Sequence, residues 1–360
     1  MKIIWLNRAP GNYRIPVFKK INELTNGGFY MLYSKNAIKK DAHIEMKDAL
    51  GENAVALENE KVFIIGNPQS DFANSHLRIP YQKGLLKAID KINPDVIIAD
   101  GFFQWAFAAL LRSRGRKVCI FYERTEHTER NAPKWRVWYR KLAGKLIDGF
   151  IINGSETRKY LTKTGFGNYP KIEGCMVADV TMLQHKVQTC PSHTTKEIRK
   201  SFCPTGNGLI YIFIGQIVAR KGVKQLLEAW EEHSKNFIND ALLVIGEGVQ
   251  RNDLESKYSH CKSIHFLGNI LYQEIYKYYA SCDVVLMPTL EDNWSLVVPE
   301  AMACSLPVAT TIYNGGHKEL IKEGVNGYAF DALNKEEFVK TLAKFHNVDL
   351  KSYGIESYKI

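Results

Sequence analysis

Strand-length apolar runs alternate with helical segments along almost the whole chain, and the alternation runs twice. In the first half, strands are expected near 2–6, 28–33, 62–66, 95–99, 117–122 and 149–152, with helices near 14–25, 80–92, 103–114, 132–146 and 155–164. A second series places strands near 209–214, 241–245, 264–267, 283–287 and 307–310, separated by helices near 222–233, 250–258, 272–280 and 295–303. Short strands joined by helices of this length need crossover connections, which are right-handed and build parallel sheets covered on both faces. The expected fold class is therefore α/β, with two doubly wound Rossmann-like parallel-sheet domains. Ligands of such sheets bind beyond the carboxyl ends of the strands, so two in tandem are expected to face across a cleft. Residues 180–208 are polar and lack a period, with Cys190-Pro191-Ser192 and Pro204-Thr205-Gly206-Asn207-Gly208 marking turns. We place the first domain at 1–185, a linker at 186–208, the second domain at 209–345 and a tail at 346–360.

Size and charge narrow the class further. A chain of 360 residues with 45% apolar content can bury a large core and should divide into two domains. Its apolar runs, such as Asp95-Val96-Ile97-Ile98-Ala99, are strand-length, too short to span a bilayer. Met1 to Leu6 leads at once into Asn7 and Arg8, so it reads as a first strand and not as a secretory leader. The seven cysteines are scattered without a CxxC pair, which argues for reduced thiols in a cytoplasmic protein and against a zinc site. Residues 1–200 carry 33 Lys and Arg against 19 Asp and Glu, a net of +14, whereas residues 201–360 carry 15 against 19, a net of −4. That asymmetry gives the first domain an anionic partner: nucleic acid, an acidic membrane surface or a phosphate-bearing substrate. No nucleic-acid recognition module is visible, so nucleic acid is not expected.

The motifs lie at strand ends of the second series. Asp292-Asn293-Trp294-Ser295-Leu296 follows the buried run Asp283–Pro288 and opens an apolar-periodic segment carrying Glu300. Two carboxylates and free amides at a strand-to-helix junction suit a ligand bearing both hydroxyls and phosphates. After the strand at 209–214 comes Gly215-Gln216, then Arg220-Lys221-Gly222 just before a helix, an arrangement that can hold a diphosphate. Gly246-Glu247-Gly248 ends the next strand, where a glycine backbone lets a base or ribose come close. Taken singly, each is equally an ordinary turn.

In this order and spacing the residues resemble the retaining nucleotide-sugar glycosyltransferases of the GT-B fold, glycosyltransferase family 4 (the group 1 glycosyltransferases). The resemblance runs from Gly215 through Lys221-Gly222, Gly246-Glu247-Gly248, Phe266-Leu267-Gly268, Asp292, Glu300-Ala301-Met302-Ala303 and Gly315-Gly316 to Gly327. It implies that Asp292 and the amides of Asn293, Trp294, Ser295 and Leu296 face the donor sugar and phosphate, and that Glu300 holds the ribose. Gly215, Gln216, Gly246, Glu247, Gly248 and Gly268 border the same donor. The chain departs from the family's pattern at Gln216, where arginine is common, and at Asp292, where glutamate is usual; Arg220 beside Lys221 is the cation available to compensate. In the first domain, Ala9-Pro10-Gly11-Asn12-Tyr13-Arg14 resembles the family's mobile loop, with Gly11 toward the donor and Tyr13 and Arg14 toward the acceptor. Glu126 and His127 lie in a segment similar to the family's Glu-His motif before a basic helix, and Trp105 follows another strand end. Two readings of His127 stay open, a sugar or acceptor contact and a loop histidine paired with Glu126 or Glu129; for Trp105, packing against the next helix is the plainer one.

Lys134 to Leu146 is basic and aromatic, with Trp135, Trp138, Leu142 and Leu146 at helical spacing. Those four are either a core face with a solvated cationic face opposite, or the apolar face of an interfacial helix on anionic lipid. The chain has no P-loop, dinucleotide fingerprint or carboxylate triad for a metal, so kinase and redox chemistry lose support. The resemblance implies a retaining, metal-independent hexosyltransferase that needs no cofactor, since the nucleotide-sugar, a UDP- or GDP-sugar, is a substrate. Its acceptor is a glycan or lipid-linked molecule, in cell-surface polysaccharide biosynthesis. Lys221 and Arg220 offset the departing diphosphate, and Asp292 and His127 complete the catalytic group. Asp292 can also be read as a covalent nucleophile; same-face attack is what the family implies. A cytoplasmic location, peripheral on the inner face of the cytoplasmic membrane, accords with this. The alternatives are a sugar-nucleotide-binding protein of the same fold without activity, and an epimerase or phosphorylase. The tail at 346–360 is expected to form a short crossover helix, unless the tail is incomplete.

Overall fold

The computed structural model describes residues 1–66, 72–174, 176 and 179–360; Cys175 lies outside them. It divides into two compact units, Met1–Asp179 and Val180–Ile360. In the first unit the strands are β1 (Ile3–Leu6), β2 (Phe29–Ser34), β3 (Ala54–Leu57), β4 (Lys61–Gly66), β5 (His76–Tyr81), β6 (Val96–Asp100), β7 (Lys117–Tyr122), β8 (Gly149–Ile152) and β9 (Lys171–Glu173). Among the described residues, seven of them form a sheet of order β3-β2-β1-β6-β7-β8-β9, parallel at every pairing. The second unit contributes β10 (Ile210–Ile214), β11 (Ala241–Ile245), β12 (Ile264–Gly268), β13 (Val284–Met287), β14 (Val308–Thr311) and β15 (Gly327–Phe330). These form a parallel sheet of order β12-β11-β10-β13-β14-β15. In both sheets the chain starts centrally, winds out one way, then returns to wind the other way. The reversal lies between β1 and β6 in one unit and between β10 and β13 in the other, which is where a doubly wound sheet opens a crevice.

Both faces of each sheet are covered, and the sequence pattern follows from that. Ile4 and Leu6 of β1 pack in one buried cluster with Ile97, Ala99, Val118 and Ile120. The intervening Trp5 and Ile98 pack in another, with Phe18, Phe29, Met31 and Phe121. A strand buried on both faces reads as a continuous apolar run, which is why these strands were visible in the sequence.

The exceptions have local causes. The run at 62–66 is not part of the parallel sheet. As β4 it pairs antiparallel with β5, Phe63 opposite Ile79 and Ile65 opposite Leu77, and the sheet position expected for it is taken by β3. The helix expected from 80 starts at Leu85, because 76–81 is spent on β5. The segment read as linker holds two helices, Thr181–Gln188 and Ser192–Phe202, and the division between units falls at Asp179. Both helices bury little: Leu183 is the buried residue of the first and none is buried in the second. Polar ties replace the missing apolar stripe. Arg199 forms two hydrogen bonds to Asp283, at 2.9 and 3.0 Å, and a third to the Ser281 carbonyl. Gly327, where the family resemblance ends, begins β15. The tail forms a helix, Leu350–Lys359, packed within the second unit: Ser357 bonds the Asn326 carbonyl, and a Cβ at Gly354 would lie 2.0 Å from the Ser305 carbonyl.

At the amino ends of β10 and β11 a polar clamp joins three elements. His233, near the end of the helix Val223–Asn236, and His346, beyond the helix Lys335–Lys344, both place Nε2 on Asp240 Oδ2, at 2.9 and 2.7 Å. Asp240 Oδ1 accepts the Leu209 amide at 2.8 Å. A buried carboxylate with all its partners in place holds the helices to the sheet, and removing it strands three donors together. We predict that Asp240→Ala lowers the unfolding free energy of the second unit by about 3 kcal/mol, read from urea denaturation. A loss below about 1 kcal/mol would contradict the clamp's role.

Candidate functional site

The second unit collects its polar groups at the carboxyl ends of β10, β11, β13 and β14. Gly222 caps the helix that follows β10 with φ +69°, and a Cβ there would sit 2.0 Å from the Pro288 carbonyl oxygen. That close approach draws the turn carrying Arg220 and Lys221 against the loop after β13. The Arg220 carbonyl fixes the contact: it accepts the amides of Leu290 and Glu291, at 2.8 and 3.2 Å, and the Thr289 hydroxyl at 3.0 Å. As a result Lys221 Nζ stands 2.5 Å from Asp292 Oδ2, both side chains largely shielded from water. Arg220 reaches Gln216 Oε1 at 3.3 Å, so the cation and the departure from the family pattern are neighbours.

The loop carrying Asp292 is held by Asn314, a fully buried residue just before the Gly315-Gly316 pair. Its Oδ1 accepts the amides of Ser295 and Gly316, at 3.2 and 3.3 Å, and its Nδ2 donates to Thr310 Oγ1 at 3.1 Å. The backbones of Asp292 and Asn314 bridge in parallel, with the Gly315 amide on the Asp292 carbonyl. Two of the four amides expected to face a phosphate are therefore spent inside the protein: Ser295 on Asn314, and Trp294 on Asp292 Oδ1 at 3.3 Å. Trp294 itself is buried against Gly316, where a Cβ would come within 2.7 Å of the indole. Its ring is a packing element, and its amide, the expected donor contact, is the one spent on Asp292. Asn293 and Leu296 stay partly exposed on the same loop.

Glu300 faces a cavity of about 400 Å³ that Gly215, Gln216, Gly246 and Glu247 also line, so five predicted residues meet there. The sequence reading missed the residues that hold the carboxylate. Tyr279 Oη donates to Oε2 at 3.2 Å and Tyr272 Oη to Oε1 at 3.5 Å. Burial pushes the Glu300 carboxyl up to about 7, and the two phenols pull it partway back. The glycines beside it serve a different end from the one expected. Gly246 has φ +140°, and a Cβ there would lie 1.9 Å from the Gly215 carbonyl; one at Gly248 would lie 2.2 Å from that of Ile217. They are small because two chain segments touch, not to admit a ligand at the Cβ position. Glu247 pairs with Arg251, beside Gly268, and the Gly268 carbonyl accepts the Gly246 amide at 2.8 Å.

The first unit has its own strand-end constellation. Arg14 is buried between Asp100, at 3.4 Å, and Glu123, with its guanidinium over the Phe121 ring. Trp5 Nε1 donates to Asp100 at 2.7 Å, and Asn7 does as well. Burial pushes the Asp100 carboxyl up to about 6 against the pull of Arg14. The charge of Arg14, expected toward the acceptor, is shared between these two carboxylates. Trp105 is withdrawn, because it is buried in the core beside Phe102 and Ala106. Tyr13 packs its ring over Gly11, whose Cβ position it occupies, and points its hydroxyl at Met176 Sδ, 3.4 Å away. Glu126 is exposed and paired with Lys163 at 2.5 Å, while the His127 carbonyl accepts Arg130. Beside them a cavity of about 200 Å³ opens among Asp100, Gln104, Glu123, Arg124, Glu129 and Arg136, residues not named for the acceptor.

For a metal, the described residues offer one His-Asp-His group with ligand spacing, the clamp of His233, Asp240 and His346. It lies at the opposite strand ends from Lys221 and Glu300, and both imidazoles already meet one oxygen at hydrogen-bond distance.

Comparison with known proteins agrees with this arrangement. The family model "Glycosyl transferases group 1" matches residues 194–353. The alpha-monoglucosyldiacylglycerol synthase of Acholeplasma laidlawii is 28% identical over 165 residues, 41% of this chain and 41% of that protein. The GDP-mannose-dependent alpha-mannosyltransferase of Corynebacterium glutamicum is 27% identical over 155 residues, 43% of this chain and 35% of that protein. The chain thus matches well under two thirds of the length of these relatives. Over its whole length the fold is similar to that of Anabaena HepE in complex with UDP and glucose, with a TM-score of 0.71 and 15% identity, covering 99% of this chain and 93% of that one. Residues 194–353 are thus similar to the group 1 glycosyl transferases, in a chain of two Rossmann-like units whose structural neighbours are GT-B glycosyltransferases.

Proposed function

We propose that the chain is a retaining, metal-independent glycosyltransferase that moves a hexose from a UDP- or GDP-sugar to a glycan or lipid-linked acceptor. The observation that carries this is the Lys221–Asp292 contact, with Arg220 and the Glu300 cavity beside it, inside the residues that match the group 1 glycosyl transferase model. HepE is seen with UDP and glucose, and the Corynebacterium enzyme is named for GDP-mannose, which supports the nucleotide-sugar class of donor. The lipid product named for the Acholeplasma enzyme supports a lipid-linked acceptor. On this reading the chain works at the inner face of the cytoplasmic membrane, in cell-surface polysaccharide assembly.

On this reading the nucleoside enters the cavity with its ribose hydroxyls on Glu300. Lys221 and Arg220 meet the diphosphate, and Lys221 leaves Asp292 to do so. Asp292 is then released toward the sugar hydroxyls, with the amides of Asn293 and Leu296 beside it. The bond from the anomeric carbon to the diphosphate oxygen breaks as the acceptor oxygen bonds the same face. The acceptor proton passes to the departing phosphate, and His127 orients a hydroxyl of the sugar or acceptor. Cations fixed before the reaction stabilise the charge that develops on the leaving group, which is where such groups contribute most.

Two outcomes follow. Lys221→Ala should lower nucleoside diphosphate release by about a hundredfold to a thousandfold while thermal unfolding is nearly unchanged; full turnover would remove Lys221 from the chemistry. Glu300 should make donor binding depend on pH. Its carboxyl, raised to about 7 in the free protein, is protonated below that value and is a poorer acceptor for two hydroxyls. Affinity for UDP or GDP should rise from pH 6 to pH 8, with proton release on binding at the acid end, and Glu300→Gln should flatten the profile relative to wild type. The sign for stability is opposite. The raised carboxyl favours the free fold below its unfolded value near 4.5 and loses that contribution as pH rises through about 7. Identical pH profiles for wild type and Glu300→Gln would place the ribose elsewhere.

A further inference from the structure

The helix Lys134–Gly144 is inside out. Its arginines face the protein: Arg136 and Arg140 are 8% and 3% exposed. Its large apolar residues face water: Trp135 is 46% exposed, Trp138 65% and Leu142 43%, with Leu146 continuing the stripe at 49%. The buried charges have built partners. Arg140 meets Glu129 at 2.5 Å and Tyr160 Oη at 2.9 Å, and Arg136 meets Asn74 and the His76 carbonyl. Of the two readings of this helix, the core-facing tryptophans are overturned. A water-facing helix gains nothing by exposing two indoles while it buries two guanidinium groups.

The stripe belongs to a wider surface. A groove of about 220 Å³ joins Trp135 and Tyr139 to Phe107 and to Ile79 and Pro80 of β5. The β4–β5 hairpin on its far side is exposed along all of β4, with Phe63 at 59% and Ile65 at 61%. Phe63 faces Ile79, and Lys61 faces Tyr81, so aromatic and apolar residues gather on one face of the ribbon. A two-stranded ribbon with apolar residues on both faces is marginal in water and calls for something that covers it.

We infer that this face docks on an anionic lipid surface, the tryptophans and the hairpin entering the headgroup boundary. The charge around it selects that occupant. Residues 130–147 contain Lys134, Lys141 and Lys145 and no Asp or Glu, and the first 179 residues carry 29 Lys and Arg against 18 Asp and Glu, a net of +11. Exposed indoles beside lysines match the headgroup level of a bilayer, where the ring is half-buried and the ammonium meets lipid phosphate. The purpose of such docking rests on the lipid-linked acceptor proposed above; the surface itself does not.

The test is flotation of the full chain with vesicles of phosphatidylcholine, with and without phosphatidylglycerol. The full chain should float with the anionic vesicles and largely stay behind with the neutral ones. Trp138→Glu with Leu142→Glu should cut flotation by about tenfold or more, with unchanged thermal unfolding and unchanged affinity for nucleoside diphosphate. Flotation that is absent, or that the double variant leaves intact, overturns the inference. So does a wild-type dimer in sedimentation that the double variant dissolves without any vesicle binding, since the face then joins two copies of the chain. Nucleoside diphosphate affinity is read in the same samples. For the wild-type chain, absent flotation with affinity intact counts against docking alone, and flotation without affinity counts against the transferase reading alone.

Discussion

A parallel sheet covered on both faces leaves its polar groups one place to gather, the ends of its strands. The candidate site in each unit follows from that constraint. The second unit uses it through close backbone contact: Gly222 against Pro288, Gly246 against Gly215, Gly248 against Ile217. These contacts narrow the strand ends until the turn after β10 touches the loop after β13, and Lys221 reaches Asp292. Asn314 then ties that loop to the one after β14, so three loops from three strands act as one body. A side chain that holds backbone amides in a water-free setting keeps the loops where a ligand can use them.

The two units manage buried charge in different ways. In the first, Arg14 is consumed by Asp100 and Glu123, and Arg140 by Glu129, so the cations form part of the frame. In the second, among the described residues, Lys221 pairs with Asp292 alone and neighbours Arg220. A cation paired with one carboxylate can turn to an incoming phosphate more readily than a buried cation held between two. Glu300 completes the contrast. Its burial raises the carboxyl to about 7, so occupation of the cavity and ionisation are coupled.

Much of this was legible in the sequence, for physical reasons. Strands buried on both faces appear as apolar runs, and the order of glycines, cations and carboxylates from Gly215 to Gly327 maps onto successive strand ends. What was not legible depends on contacts far apart in the chain. The helix Ser192–Phe202 has no buried stripe to betray it, being held by Arg199 on Asp283. For Trp105 both a pocket and a packing role were open, and its burial in the core bears out the packing role, a difference set by neighbours and not by local pattern. The stripe of Trp135, Trp138 and Leu142 was visible, but its direction was not, since period alone cannot say which face of a helix points inward. Asn314, Tyr272 and Tyr279 went unnamed as site residues because each acts through a partner that only the fold supplies.

The central claim is that the Lys221 and Glu300 constellation holds a nucleotide-sugar while its sugar is transferred with retention. The most direct measurement follows the anomeric carbon itself, by NMR, with carbon-13-labelled UDP- and GDP-hexoses, the full chain and a lipid-linked acceptor extract. The account predicts that the diphosphate-linked signal gives way to a glycosidic signal of the same anomeric configuration, as free nucleoside diphosphate appears. A product of inverted configuration, or no loss of the diphosphate-linked signal with any donor in the presence of acceptor, would contradict it.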